Sequence, residues 1–129
     1  MTGKFLLDTN IVIALFARDD NVLQQLKQAE EVFLPSIVLG ELYYGARKSG
    51  RVEINVQRVD ELAASSAVLP CDAETAIRYG DIKNRLRLKG KPLPENDIWI
   101  AALAMQHDFV LASRDAHFDE VDNLKVEAW

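Results

Sequence analysis

Two rhythms of apolar residues run through the chain. Short, nearly continuous apolar runs occur at Lys4 to Leu7, Val32 to Leu34, Ala67 to Leu69 and Phe109 to Ala112, with a last one at Leu124 to Val126. Such runs, four or so residues long and rich in branched and aromatic side chains, predict buried strands. Between them the apolar positions recur every three or four residues, as at Val22, Leu26 and Ala29, or at Val52, Val56, Val59, Leu62 and Ala63. That spacing predicts helices. Helices are expected over Asn10 to Ala17, Val22 to Ala29, Ser36 to about Lys48, Val52 to Ser66, Ala73 to Lys89 and Asn96 to about Gln106. Punctuation agrees with these limits. Arg18-Asp19-Asp20-Asn21 breaks the first helix, and Pro35 stops the second strand. Ser36 is expected to cap the helix it opens, and Ser49-Gly50 to end it. Asp72 and Gly90 suit the two ends of the long helix between them. Strands alternating with helices give an α/β fold with a central, mostly parallel sheet.

At 129 residues the chain is expected to form a single domain, 1–129. A chain of this size buries roughly two-thirds of its unfolded surface, so it folds without disulfides or a structural metal. Cys71 is the one cysteine and reads as a small buried hydrophobe. The apolar run Ile11 to Ala17 is too short to cross a membrane and lacks the flanks of a secretory signal, so the cytoplasm and no membrane are expected. The net charge of −5 argues at first against a phosphate-rich partner. Setting aside four acids for a metal leaves the remainder close to neutral, so the imbalance is also what a carboxylate-lined metal site would produce.

Four acids stand out by position. Asp8 ends the first strand and Asp115 follows the fourth. In open α/β sheets ligands bind beyond the carboxyl ends of the strands. Each is equally at home as a turn residue or helix cap. Glu41 is more telling, because its helical neighbours Ile37, Val38 and Tyr44 put a carboxylate on or beside an apolar face. A charge there needs a cation, a hydrogen-bond network, an arginine or a path to solvent. Asp97 suits the first turn of a helix on electrostatic grounds alone. Its face continues through Ile100, Ala101 and Ala104, and such small residues draw the acid inward. Converging carboxylates repel, and a hard divalent cation, Mg²⁺ or Mn²⁺, resolves the conflict. Two such ions about 4 Å apart serve phosphodiester cleavage.

The same residues resemble the motifs of the PIN-domain ribonucleases, and in particular the VapC toxins. Leu6-Leu7-Asp8-Thr9-Asn10 resembles the opening motif. Pro35 to Ser49, with Glu41 and Gly45, resembles the second. Pro94-Glu95-Asn96-Asp97-Ile98-Trp99-Ile100-Ala101-Ala102 resembles the third, and Leu111-Ala112-Ser113-Arg114-Asp115-Ala116-His117-Phe118 the fourth. The tail Leu124 to Trp129 fits as well. The match runs in order over nearly the whole chain, which makes it specific where Asp-Thr-Asn alone is not. The resemblance implies a PIN-like three-layer α/β/α domain that hydrolyses RNA with a metal-activated water, leaving a 5′-phosphate and a 3′-hydroxyl. It implies that Asp8, Glu41, Asp97 and Asp115 are catalytic and hold Mg²⁺ or Mn²⁺, directly or through water. Thr9, Asn10 and Ser113 would support them by hydrogen bonds. Ser113 stands where the family often has threonine and keeps the hydroxyl. The fourth acid varies most in the family, so Asp119 is a possible substitute or helper. The compact length implies the toxin of a toxin–antitoxin pair, a homodimer, and a VapB-like antitoxin that blocks the site.

Lys83 to Lys91 carries five positive charges and no acid, and Arg85, Arg87, Lys89 and Lys91 are expected RNA contacts. Cations at a helix C-terminus are also stabilising without any ligand. Arg47, Lys48 and Arg51 make a smaller patch that could meet RNA or an antitoxin carboxylate. Tyr43 and Trp99 fit stacking or an interface, but their spacing is that of core residues. His107 and His117 lack metal-ligand spacing, and neither is expected to act as a general base; His117-Phe118 is expected to pack near the fourth motif. Three rival readings fit the residues less well. A phosphoacceptor receiver module needs an acidic pair at the first strand end and a central aspartate, and only Asp8 is there. A haloacid-dehalogenase-type phosphatase wants an acid where Asn10 stands. A PIN-like domain that binds RNA or protein without cutting has no reason to keep four mutually repelling acids.

Overall fold

The computed structural model describes residues 3–129. Five strands form one sheet: β1 (Lys4–Leu7), β2 (Glu31–Pro35), β3 (Ala67–Leu69), β4 (Val110–Ala112) and β5 (Val126–Glu127). All pairings are parallel, in the order β3-β2-β1-β4-β5. Six helices flank it: α1 (Thr9–Phe16), α2 (Asp20–Gln28), α3 (Ser36–Arg47), α4 (Val52–Ala64), α5 (Ala73–Lys89) and α6 (Glu95–His107). The expected α/β/α layering is present, and the sheet is wholly parallel.

Burial explains the strand order. Phe5, Leu6 and Leu7 of β1 and Leu111 and Ala112 of β4 are buried, as central parallel strands covered on both faces must be. β3 and β5, the shorter and more exposed runs, take the edges. The chain moves outward from β1 through β2 to β3, then crosses back to lay β4 on the other side of β1. The gap between β1 and β4 is therefore the point where the strand order reverses, and ligands bind at such points. α6 is the best-buried helix: Ile98 and the run Ile100 to Ala104 are almost wholly inaccessible.

Some boundaries differ from those read in the sequence. β2 includes Pro35, whose Cα pairs with Leu69. Ser36 does not cap α3: Pro35 holds the cap position, Ser36 is already helical, and no side-chain cap bond forms. β5 lies at Val126–Glu127, starting two residues later than the apolar run that suggested it and ending one residue beyond, because Leu124 packs against the core while the backbone pairs further on. A 3₁₀ turn at Ala116–Glu120, unforeseen in the sequence, buries Phe118. Asp72 and Gly90 act as expected. Asp72 and Thr75 form a reciprocal capping box, and Gly90 closes α5 at φ 68°. Asp72→Ala should cost about 1 kcal/mol of stability, read by chemical denaturation, with RNA cleavage unchanged. Loss of cleavage in that variant would tie α5 to the chemistry.

Candidate active site

Asp8 leaves β1 and caps α1. Its Oδ1 accepts from the Thr9 backbone N–H at 2.8 Å. Its Oδ2 accepts from the Ser113 hydroxyl at 2.8 Å and from Asn10 Nδ2 at 3.3 Å. Asp8 and Ser113 are both buried, 5 % and 2 % exposed. Burial pushes the Asp8 carboxyl above its usual range; the Ser113 and Thr9 hydrogen bonds oppose this, and the nearby Glu41 and Asp115 charges add to it. A buried carboxylate with three donors is fixed in direction and cannot turn to solvent.

Ser113 joins the two central strands at this edge. Besides donating to Asp8, its Oγ accepts from Asn10 Nδ2 at 3.3 Å and from the Asp115 backbone N–H at 3.0 Å. The Arg114 N–H donates to Asn10 Oδ1 at 3.1 Å. Asp8 and Asn10 at the start of α1 are thereby bound to the segment after β4. Thr9 also reaches the other way, its Oγ1 donating to Glu41 Oε1 at 2.7 Å across α1 and α3. Thr9, Asn10 and Ser113 thus all hydrogen-bond to Asp8, and Thr9 to Glu41 as well. Ser113→Ala should lower cleavage by about 10- to 100-fold, with Ser113→Thr close to wild type, because the hydroxyl is the part of this side chain that helps to orient Asp8. An unimpaired alanine variant in a steady-state cleavage assay would show that Asp8 needs no such support.

Asp97 lies in the first turn of α6 and makes no side-chain hydrogen bond among the described residues. Burial pushes its carboxyl up to about 6, and the charges of Asp8, Asp115 and Glu41 push the same way; only His117 counters them. The fold therefore brings all four acids into one electrostatic neighbourhood. Asp115 caps the 3₁₀ turn, its Oδ1 accepting from the His117 N–H at 2.9 Å. Asp119, in the same turn, is exposed and outside this grouping. No lysine or arginine forms an ion pair with any of the four among the described residues. The nearest guanidinium in sequence, Arg114, is turned away: it pairs with Asp19 at 3.0 Å and donates to the Trp129 carbonyl at 2.6 Å. That bond and the packing of Trp129 on Phe5 tie the C-terminal residue to the segment bearing Ser113 and Asp115.

The chain matches the family model described as "PIN domain" over residues 5–124. It belongs to the PIN-domain family. Ribonuclease VapC2 of Haemophilus influenzae is 36% identical over 129 residues, covering 98% of each chain. The tRNA(fMet)-specific endonuclease VapC of Salmonella typhimurium is 30% identical over 129 residues, again 98% of each. The crystal structure of DNA-bound VapBC from Salmonella typhimurium superposes with a TM-score of 0.91 at 29% identity, covering 98% of each chain. The receiver reading has no support in this PIN domain: β3 is an edge strand and ends in Leu69-Pro70-Cys71, with no central acid.

Two groups were undervalued in the sequence. His117 stands beside Asp97 and Asp115 and does not pack; only Phe118 does. Its place two residues after Asp115 was the available signal. Arg114 carried none, since its partners lie 95 and 15 residues away. The basic stretch of α5 is partly neutralised. Arg85 pairs with Asp81 at 3.0 Å, Lys89 with Asp122 at 2.9 Å, and Lys83 with Glu95, while Arg87 and Lys91 have no carboxylate partner among the described residues. Trp99 is half-buried and stacks on Tyr79 at 4.1 Å, and the Tyr43 hydroxyl donates to Asp60 at 2.6 Å. Cys71 is half-buried rather than buried, because β3 lies at the sheet edge. Burial, aided by Asp72, raises its thiol.

Proposed function

We propose that this chain is a single PIN domain across residues 1–129 that acts as a Mg²⁺- or Mn²⁺-dependent endoribonuclease, the toxin of a VapBC-type pair. The observation that carries the reading is the convergence of Asp8, Glu41, Asp97 and Asp115 where the strand order reverses, with no lysine or arginine among the described residues paired to any of them. The donor set fits a hard cation: carboxylate oxygens, no thiolate, and one carboxylate, Asp97, raised first by burial and then by the charges of Asp8, Asp115 and Glu41. Asp8, Glu41, Asp97 and Asp115 would hold the ion. When bound, it lowers the pKa of a water and draws charge from the scissile phosphate. The protein's own part is orientation. Ser113, Asn10 and the Thr9 N–H aim Asp8, and the Thr9 hydroxyl aims Glu41. A water attacking in line would leave a 5′-phosphate and a 3′-hydroxyl.

RNA would approach over the unpaired cations Arg87 and Lys91, with Arg85 and Lys89 released from their carboxylates as phosphates arrive. Exposed ion pairs are weak, so the exchange costs little. On the other side a cleft of about 260 Å³ opens between α1, α3 and α4, lined by Ile13, Phe16, Leu42 and Val59 and bordered by Glu41 and Arg58. A segment of a VapB-like antitoxin laid there would reach Glu41 and block the site. A homodimer is the expected assembly, and the exposed Ile77 and Leu88 of α5 offer apolar surface for it. No helix among the described residues is long and apolar enough to cross a membrane, and the cytoplasm is the proposed location.

The test is cleavage of total RNA by purified protein with Mg²⁺, with Mn²⁺ and with EDTA, and sequencing of new 5′-phosphate ends. Discrete ends that need the ion are expected. Cleavage that ignores EDTA would overturn the mechanism.

A further inference from the structure

We infer that His117 is an additional ligand of the ion and tilts the site toward Mn²⁺ over Mg²⁺; this rests on the ion-site reading above. Among the described residues, the ligand atoms of Asp97, Asp115 and His117 lie within 4.8 Å of one another. Ligands across an octahedral ion with bonds of about 2.1 Å stand about 4.2 Å apart, and adjacent ones about 3 Å. His117 Nδ1 and Asp115 Oδ1 are 2.9 Å apart, the adjacent spacing. Local structure sets this up. Asp115 caps the 3₁₀ turn through the His117 N–H, and the turn sends Phe118 into the core and the imidazole out over the acids. The ring is 68 % exposed and has no other hydrogen-bond partner among the described residues, so nothing but Asp115 restrains it. A small rotation completes the triad.

The chemistry then discriminates between ions. Mg²⁺ prefers oxygen and keeps its waters, whereas a first-row transition ion accepts imidazole nitrogen readily. Adding one imidazole to the carboxylates therefore favours Mn²⁺ over Mg²⁺ more than the carboxylates alone do.

The experiment compares wild type, His117→Gln and Asp97→Asn by pulsed electron paramagnetic resonance of added Mn²⁺, with calorimetric titration of Mn²⁺ and Mg²⁺. Wild type should show ¹⁴N modulation from a coordinated imidazole, and His117→Gln should lose it. Mn²⁺ affinity should fall about tenfold or more in that variant, with Mg²⁺ affinity changing much less. Because His117 is exposed, the variant folds. Mn²⁺ bound to wild type and lost in Asp97→Asn, but without nitrogen coupling, would overturn the role of His117 and leave the ion site standing. No Mn²⁺ binding to wild type would overturn both. Equal losses for the two ions would overturn the selectivity.

Discussion

Replacing Asp8 or Asp97 with asparagine should lower RNA cleavage by about 100-fold or more while the protein remains folded. The two substitutions keep shape and remove one charge each. Ion binding depends on deprotonated carboxylates, so an amide cannot replace them. The structure says how each variant keeps its fold. Asp97 makes no side-chain hydrogen bond among the described residues, so nothing is broken in Asp97→Asn. In Asp8→Asn the amide oxygen still accepts from the Thr9 N–H, and the Ser113 hydroxyl can rotate to accept from the new amide. Asn10 Nδ2 loses the Asp8 oxygen as an acceptor, and its 3.3 Å contact with Ser113 Oγ gives way too, because that oxygen's two lone pairs then serve the new amide and the Asp115 N–H. Steady-state cleavage with Mg²⁺ and with Mn²⁺, beside circular dichroism and thermal melts, separates chemistry from folding. Cleavage surviving in both variants would refute the assignment of these acids.

Asp97→Asn should also stabilise the ion-free protein near neutral pH, by up to about 3 kcal/mol. The folded-state carboxyl is raised from 3.8 to about 6, first by burial and then by the charges of Asp8, Asp115 and Glu41. A raised carboxyl pKa means that the folded state holds the proton more tightly than the unfolded chain. Its contribution is fully present below pH 4 and is lost as pH rises through about 6. Above that the native protein carries a charge it holds poorly. Asparagine removes the penalty, so the gain should be near zero at pH 4 and complete by about pH 7. A divalent cation removes the same penalty by binding the folded state alone, so it should raise the melting temperature of wild type more than that of the variant. Protons compete with the ion, so wild type should lose this effect as pH falls below about 6. A variant less stable than wild type at every pH would mean that Asp97 has a stabilising partner.

Much of the architecture was legible because it depends on local rules. Apolar runs became strands, and three-to-four spacing became helices. Asp72 and Gly90 ended α5 through their own side-chain and backbone chemistry. The departures fall where local rules compete with packing. Pro35 joins β2 because the neighbouring strand pairs with it from the side. The last strand slides past Leu124 because the core claims that side chain.

The site divides along the same line. Asp8 and Asp115 were visible from their positions beside strand ends, and Glu41 from its apolar helical neighbours. Their convergence was not, since Glu41 meets Thr9 across 32 residues and Ser113 meets Asp8 across 105. The ordered motifs filled that gap only through resemblance to a family in which the convergence is known. His117 was set aside because ligand spacing in a sequence is judged among histidines and cysteines, whereas here the neighbours are two aspartates, one on another helix. Arg114 gave no sign of its role, because the groups that take its charge, Asp19 and the Trp129 carbonyl, lie far along the chain.

By itself, then, the sequence determined the alternating elements, the two caps of α5 and which residue types were available for a hard cation. These follow from side-chain periodicity and backbone preference within a few residues. Only the tertiary structure decided that β1 and β4 are neighbours, that Asp97 is pushed up to about 6, and that His117 joins the acids. Each of these depends on distance and burial between segments remote in the chain, and both are set by how the sheet packs.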